Sequence, residues 1–139
     1  MKLTLEVAKN MIDAAIVEAR GIGKACSIAI VDENGWSVAA ERMDDALAPT
    51  LDIARDKAWT AFAFRMPSSE IYEFGNAAMP GFGFNTENWN DRLTTIAGGL
   101  PIKDGDSVIG GIGVSGGTPE EDVAVCQAAV KAINLSPAA

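Results

Sequence analysis

Apolar residues recur along the chain in two rhythms. Over residues 4–21 they return at three- and four-residue spacing, with Val7, Ala8, Met11, Ile12, Ala15 and Ala19 on one stripe. Glu6, Lys9, Asn10, Asp13 and Arg20 trace the polar stripe, so an amphipathic helix is predicted, stopped by Gly21 and Gly23. Residues 25–32 are largely apolar, Glu33-Asn34-Gly35 has hairpin-turn chemistry, and 36–42 returns as a strand. A charged exit follows, Glu41-Arg42-Met43-Asp44-Asp45. Helical spacing resumes over 49–66 through Leu51, Ala54, Ala58, Ala61 and Phe62. Pro67 ends that helix, because the residue before a proline avoids helical backbone. One or two further turns are predicted over 68–74. Residues 75–91 then show no period, and a loop of that length in a compact domain points to function.

The block 98–122, GGLPIKDGDSVIGGIGVSGGTPEED, carries strand, turn, strand and helix in succession. Alternation places Val108, Gly110, Ile112 and Val114 on one face and Ile109, Gly111 and Gly113 on the other. Glycine inside a strand marks close approach by a backbone or a ligand, so something flat or tightly packed is expected on the second face. Gly111 to Gly116 also matches the dinucleotide pattern G-x-G-x-x-G. That reading is rejected. The strand returns from a tight turn, no chain remains for a second strand with its ribose-binding acid, and Glu120, Glu121 and Asp122 would repel a pyrophosphate. Those acids suit a structural cap, with Thr118 and Glu121 as a capping box and Pro119 at the first helical position. Strand–turn–strand–helix thus occurs twice, and the fold class predicted is α+β: one domain over 1–139, an antiparallel sheet flanked by helices.

Composition narrows the chemistry. A formal charge of −8 leaves no basic stripe, so no nucleic-acid partner is expected. No run of about 18 apolar residues is present to span a membrane, and the first residues lack a signal peptide's apolar region; a cytoplasmic protein is expected. Cys26 and Cys126 are then reduced and buried thiols. The histidine count is zero, which removes Ser-His-Asp and Cys-His catalysis and histidine-ligated zinc or haem. Acid–base work falls to Asp, Glu, Lys, Tyr or Cys.

Several residues stand out, each with a plainer reading beside it. Arg42 could hold a carboxylate and Asp44 could move a proton, or both could pair with each other or with Lys57. Lys57 could be a half-buried lysine that binds an anion, or one member of an exposed ion-pair cluster with Arg55 and Asp56. Gly98 and Gly99 offer bare amides near Asp91 and Arg92, suited to an anion or to a packing bend. Glu70 and Glu73 read as a solvated face, and no metal site is expected. Phe82, Phe84 and Trp89 would cover an apolar ligand, bury themselves in a neighbouring subunit, or do both at an interface.

The segments IAIVDENGWSVAAERMDDA (28–46), ARDKAWTAFAF (54–64), AGGLPI (97–102) and DGDSVIGGIGVSGGTPEED (104–122) together resemble the GlcG/HbpS-like family, also called the haem-degrading domain family. Its members include stand-alone proteins and the C-terminal domain of PduO-type proteins. The resemblance implies an antiparallel sheet flanked by helices, homo-oligomers built from dimers, and a small-molecule ligand, with haem or a corrinoid as the family's cofactors. Haem-binding members that use histidine have no counterpart here; Met43, Met66, Met79, Tyr72 or a cysteine are the iron donors left. The first functional expectation is therefore a small-molecule binder whose interface pocket is made by the glycine-rich strand, Gly98-Gly99, the 75–91 loop and Arg42. The alternative is a cofactor-independent lyase, isomerase or hydratase on a small acid or carbonyl compound. In it Asp44, Lys57, Tyr72 or Asp91 would supply acid–base chemistry, while Arg42 and the Gly98-Gly99 amides hold negative charge.

Overall fold

Thr4 starts the first helix, α1 (Leu5–Gly21), by accepting a hydrogen bond at Oγ1 from the Val7 amide at 3.2 Å. The computed structural model describes residues 1–80 and 91–133, and only the backbone of residues 72–75. The strands β1 (Ser27–Asp32) and β2 (Ser37–Arg42) form the first hairpin. Asp32 shapes its turn: Oδ1 accepts from the Asn34 amide at 2.8 Å and from the Trp36 amide at 3.1 Å. Then come α2 (Thr50–Phe64), which ends on a left-handed Arg65, and α3 (Ser68–Gly75). The second hairpin is β3 (Gly99–Asp104) with β4 (Ser107–Ser115), followed by α4 (Pro119–Ala132). The predicted capping box opens α4: Thr118 Oγ1 accepts from the Glu121 amide, and Glu121 Oε1 accepts from the Thr118 amide.

The four strands make one antiparallel sheet in the order β2-β1-β4-β3. This is the expected α+β architecture. α1 and α4 pack on one face over Met11, Ile12, Ile28, Ile30, Ile112, Val114, Val125 and Val130, while α2 crosses the other. The repeat is therefore one of element order alone, since α2 and α4 lie on opposite faces. No helix among the described residues is long and apolar enough to cross a membrane.

One detail of β4 differs from the alternation. The pairing passes from Ile102↔Gly110 to Lys103↔Val108, leaving Ile109 as the extra residue of a bulge. Ile109 accordingly joins the α1/α4 core, rather than the face of Gly111 and Gly113. Of the two readings of the bare face, a close backbone or a ligand, the structure shows the first. A Cβ at Gly113 would collide with the Ala54 carbonyl oxygen and sit 2.6 Å from the Ala58 amide nitrogen, and one at Gly111 would collide with the Ala58 carbonyl oxygen. The bare face of β4 is thus filled by the backbone of α2, through the small residues Ala54 and Ala58. It is not open to a ligand or a second subunit.

Lys57 sits on that same inward stripe and is 2% exposed. Its Nζ donates to the Val114 carbonyl at 2.9 Å and to Asp122 Oδ2 at 3.1 Å, and Asp122 Oδ1 accepts from the Gly117 amide at 2.9 Å. A buried, hydrogen-bonded ion pair therefore ties α2 to the first turn of α4 past the end of β4. Neither the anion-binding nor the exposed-cluster reading of Lys57 matches this placement.

Two stability measurements follow. Gly113→Val should lower unfolding free energy by about 3 kcal/mol or prevent folding, because backbone lies where the side chain must go. Gly21→Ala, with nothing within 4 Å, should stay within about 0.5 kcal/mol of the parent. Equal urea midpoints for the two would contradict the packing described. Lys57→Met should cost about 3–5 kcal/mol by leaving Asp122 buried without its partner, and adding Asp122→Asn should restore part of that loss. A single mutant as stable as the parent would remove the pair from the account.

Candidate functional site

With Ala54, Lys57, Ala58 and Ala61 turned to the sheet, α2 presents Asp52, Arg55, Asp56 and Trp59 on its opposite side. These four have i, i+3, i+4, i+7 spacing and form one wall of an open groove of about 600 Å³. The turn of the first hairpin supplies another wall through Gly35, Trp36 and Ser37, with Val31 behind, and Asp91 and Arg92 line the remaining side. The Asp32-built turn fixes the position of Trp36, and Gly35 packs so closely that a Cβ there would lie 3.3 Å from the Trp59 ring.

The electrostatics of the groove are uneven. The Arg92 guanidinium lies over the Trp59 ring, 4.6 Å from its centroid, in cation–π geometry. Arg55 faces Asp52 in an exposed pair at 3.8 Å. Asp56 is half-buried and makes no hydrogen bond or ion pair among the described residues. Loss of solvent raises its carboxyl above the usual aspartate range; Asp52 and Asp91 push the same way, while Arg55 and Arg92 oppose it.

Of the sequence-predicted site residues, Asp91 and Arg92 fall in this groove. Arg42 and Asp44 line a different one of about 340 Å³ with Ile16, Arg20, Glu41 and Met43, where Arg42 Nη1 donates to the Ala46 carbonyl at 3.0 Å. Gly98 and Gly99 are buried and occupied by the protein itself. The Gly99 amide donates to Ser68 Oγ at 2.8 Å, and the Gly98 carbonyl accepts from the Cys126 thiol at 3.1 Å and the Val114 amide at 2.8 Å. A Cβ at Gly98 would lie 2.8 Å from Lys57 Nζ, so this is a packing bend and not an anion cradle. Phe82, Phe84 and Trp89 lie outside the described residues, as does the side chain of Tyr72. Within this chain the glycine strand, Gly98-Gly99 and Arg42 do not meet in one pocket, and residues 81–90 of the 75–91 loop expected beside them lie outside the described residues. Nor do the described acid–base candidates converge: Asp44 lines one groove, Asp91 the other, and Lys57 is buried against Asp122.

Sequence reasoning passed over Trp36 and Trp59, and gave Asp56 only as a member of an ion-pair cluster with Lys57 and Arg55. The helical spacing of Asp52, Arg55, Asp56 and Trp59, directly across from the alanine stripe, was the available signal. As for other chemistry, Cys26 and Cys126 are both buried. Burial pushes the Cys26 thiol up to about 11, with Asp122 and Glu121 adding to it, and burial pushes the Cys126 thiol higher still. Both stay protonated. Among the described residues no group of three or more Asp, Glu or Cys is placed to hold a metal ion.

Comparison with known proteins places this geometry in a family. The model of the family described as "Haem degrading protein HbpS-like" matches residues 3–131. An uncharacterized 15.0 kDa protein from the dhaT-dhaS intergenic region of Citrobacter freundii is 36% identical over 131 residues, covering 92% of this chain and 89% of its own. The corrinoid adenosyltransferase PduO of Citrobacter freundii is 31% identical over 97% of this chain, which spans 40% of that longer protein. The solved PduOC:heme complex superposes with a TM-score of 0.91 at 28% identity and full coverage of both chains. The expected kinship is thereby established, and the chain belongs to the HbpS-like family.

Proposed function

We propose that this chain binds a small, flat, partly apolar molecule in the groove between Trp36 and Trp59. The observation that carries the reading is the pair of indoles lining one open volume, with Trp36 67% exposed and Trp59 already backed by Arg92. Tryptophan left open to solvent in a concave surface is costly unless something flat covers it. Asp91 and Arg92 remain in the proposed site, and the glycine strand does not. Homo-oligomers built from dimers belong to the same proposal, with the exposed Trp36 edge as surface that a second copy would help to cover.

Haem is the ligand named for the PduOC relative, and the groove residues do not fit it. Haem iron takes histidine, cysteine thiolate, methionine or tyrosine. The groove is lined by none of these, and residues 81–90 contain none either. Cys26 and Cys126 are protonated in the core, and Met43 Sδ accepts from the Cys26 amide at 3.4 Å. The proposed ligand is therefore bound without iron coordination.

Saturation-transfer NMR with benzyl alcohol, a neutral flat probe, should show ring contact with the protein that Trp36→Ala weakens by about tenfold or more, as loss of a stacking partner would. Undiminished transfer in both Trp36→Ala and Trp59→Ala would overturn the site. Titration with haemin should give no saturable one-to-one Soret band; a stoichiometric band would overturn the iron-free reading.

A further inference from the structure

We infer that the groove takes an organic cation, a protonated amine or amidinium nitrogen seated between the Trp36 indole and the Asp56 carboxylate with its apolar body along the indoles. This deepens the proposal above and rests on the groove being the binding site. The groove holds three aspartates against two arginines. Arg55 is engaged with Asp52, and Arg92 is stacked on Trp59. Asp56 and Asp91 are the acids left over, neither with a hydrogen bond or ion pair among the described residues, and of the two Asp56 is the half-buried one while Asp91 is exposed. A half-desolvated acceptor without a donor is unfavourable until a donor arrives, and a charged donor gains most.

The aromatic lining agrees with this choice of charge. Indole faces attract cations more strongly than other aromatic rings do, and the Trp59 ring already carries one. Trp36 lines the same volume with most of its surface in solvent. An anionic ligand would meet Asp56 with Asp52 and Asp91 in the same lining, in a chain whose formal charge is −8. With three aspartates against two arginines in the lining, an anion would meet net negative charge.

The test compares three probes of one shape on the full chain: benzylamine, benzyl alcohol and benzoate, with dissociation constants from NMR titration at about pH 7. Benzylamine should bind at least about tenfold more tightly than benzyl alcohol, and benzoate most weakly. Asp56→Asn should erase the advantage of benzylamine over benzyl alcohol, while Trp36→Ala should weaken both. The cation favours ionised Asp56, whose pKa lies above the usual value, so benzylamine affinity should fall on acidification, starting above the range of an ordinary aspartate, and fall less in Asp56→Asn. The groups facing Asp56 are Asp52 and Arg55 on α2, and Asp91 and Arg92 beyond it; among the described residues the hairpin wall, Val31 and Gly35 to Ser37, presents no titratable side chain. Benzoate binding as tightly as benzylamine, or an advantage that survives Asp56→Asn, would overturn the inference. If benzyl alcohol binding depends on Trp36 but shows no charge preference beside its partners, the cation is wrong and the groove stands. If no probe binds, both fall.

Discussion

Everything on one side of this molecule depends on how closely α2 lies against β4. Helix backbone touches strand backbone because neither Gly111 nor Gly113 has a side chain to hold it off, and Ala54 and Ala58 add only methyl groups. Close packing of this kind loses contact energy quickly with any separation, so it sets the height of the helix over the sheet within narrow limits. The height in turn decides where the opposite stripe of α2 stands. Trp59 comes level with the Asn34-Gly35 turn, and a groove opens between helix and hairpin. Glycines on the buried face thus shape a site on the exposed one without touching any ligand.

The buried Lys57–Asp122 pair works in the same direction. It spans from α2 to the start of α4, and its remaining hydrogen bonds go to the Val114 carbonyl and the Gly117 amide. Gly98 is packed against Lys57 Nζ and accepts from Cys126. Such a cluster gains little net energy over an apolar one, but its geometry is demanding and leaves few alternative arrangements. It fixes helix rotation, whereas the glycines fix helix height. Chemistry-bearing residue types are spent here on structure. The groove draws on side chains with fewer ties.

The fold was legible in the sequence because periodicity and turn chemistry agreed at nearly every element. The Thr118–Glu121 capping box and the Asn34-Gly35 turn fall where local rules put them, while α2 stops at Phe64 on a left-handed Arg65, before the residue that Pro67 restricts. Ile109 was misplaced because a bulge breaks strict alternation, and nothing local announces one. The site was harder. Glycines in β4 signalled a close approach, but a helix backbone and a flat ligand leave the same mark. Lys57 shares i, i+3, i+4, i+7 spacing with Ala54, Ala58 and Ala61, and that spacing already pointed inward; its charge suggested otherwise until Asp122 was seen beside it. Arg42 and Asp44 are neighbours in the chain, as Asp91 and Arg92 are, but only the second pair meets the groove. Which loop approaches which helix is a tertiary fact that one sequence does not display.

The most direct measurement is a map of where a ligand touches the protein, from amide and indole chemical shifts recorded while benzyl alcohol is added to the labelled 139-residue chain. The largest changes should fall on the Trp36 and Trp59 indole N–H groups and the Asp56 amide, with Gly111, Gly113 and the Gly98–Gly99 amides unmoved beneath α2. Changes centred on the glycine strand, or on Arg42 and Asp44, would contradict the placement of the site.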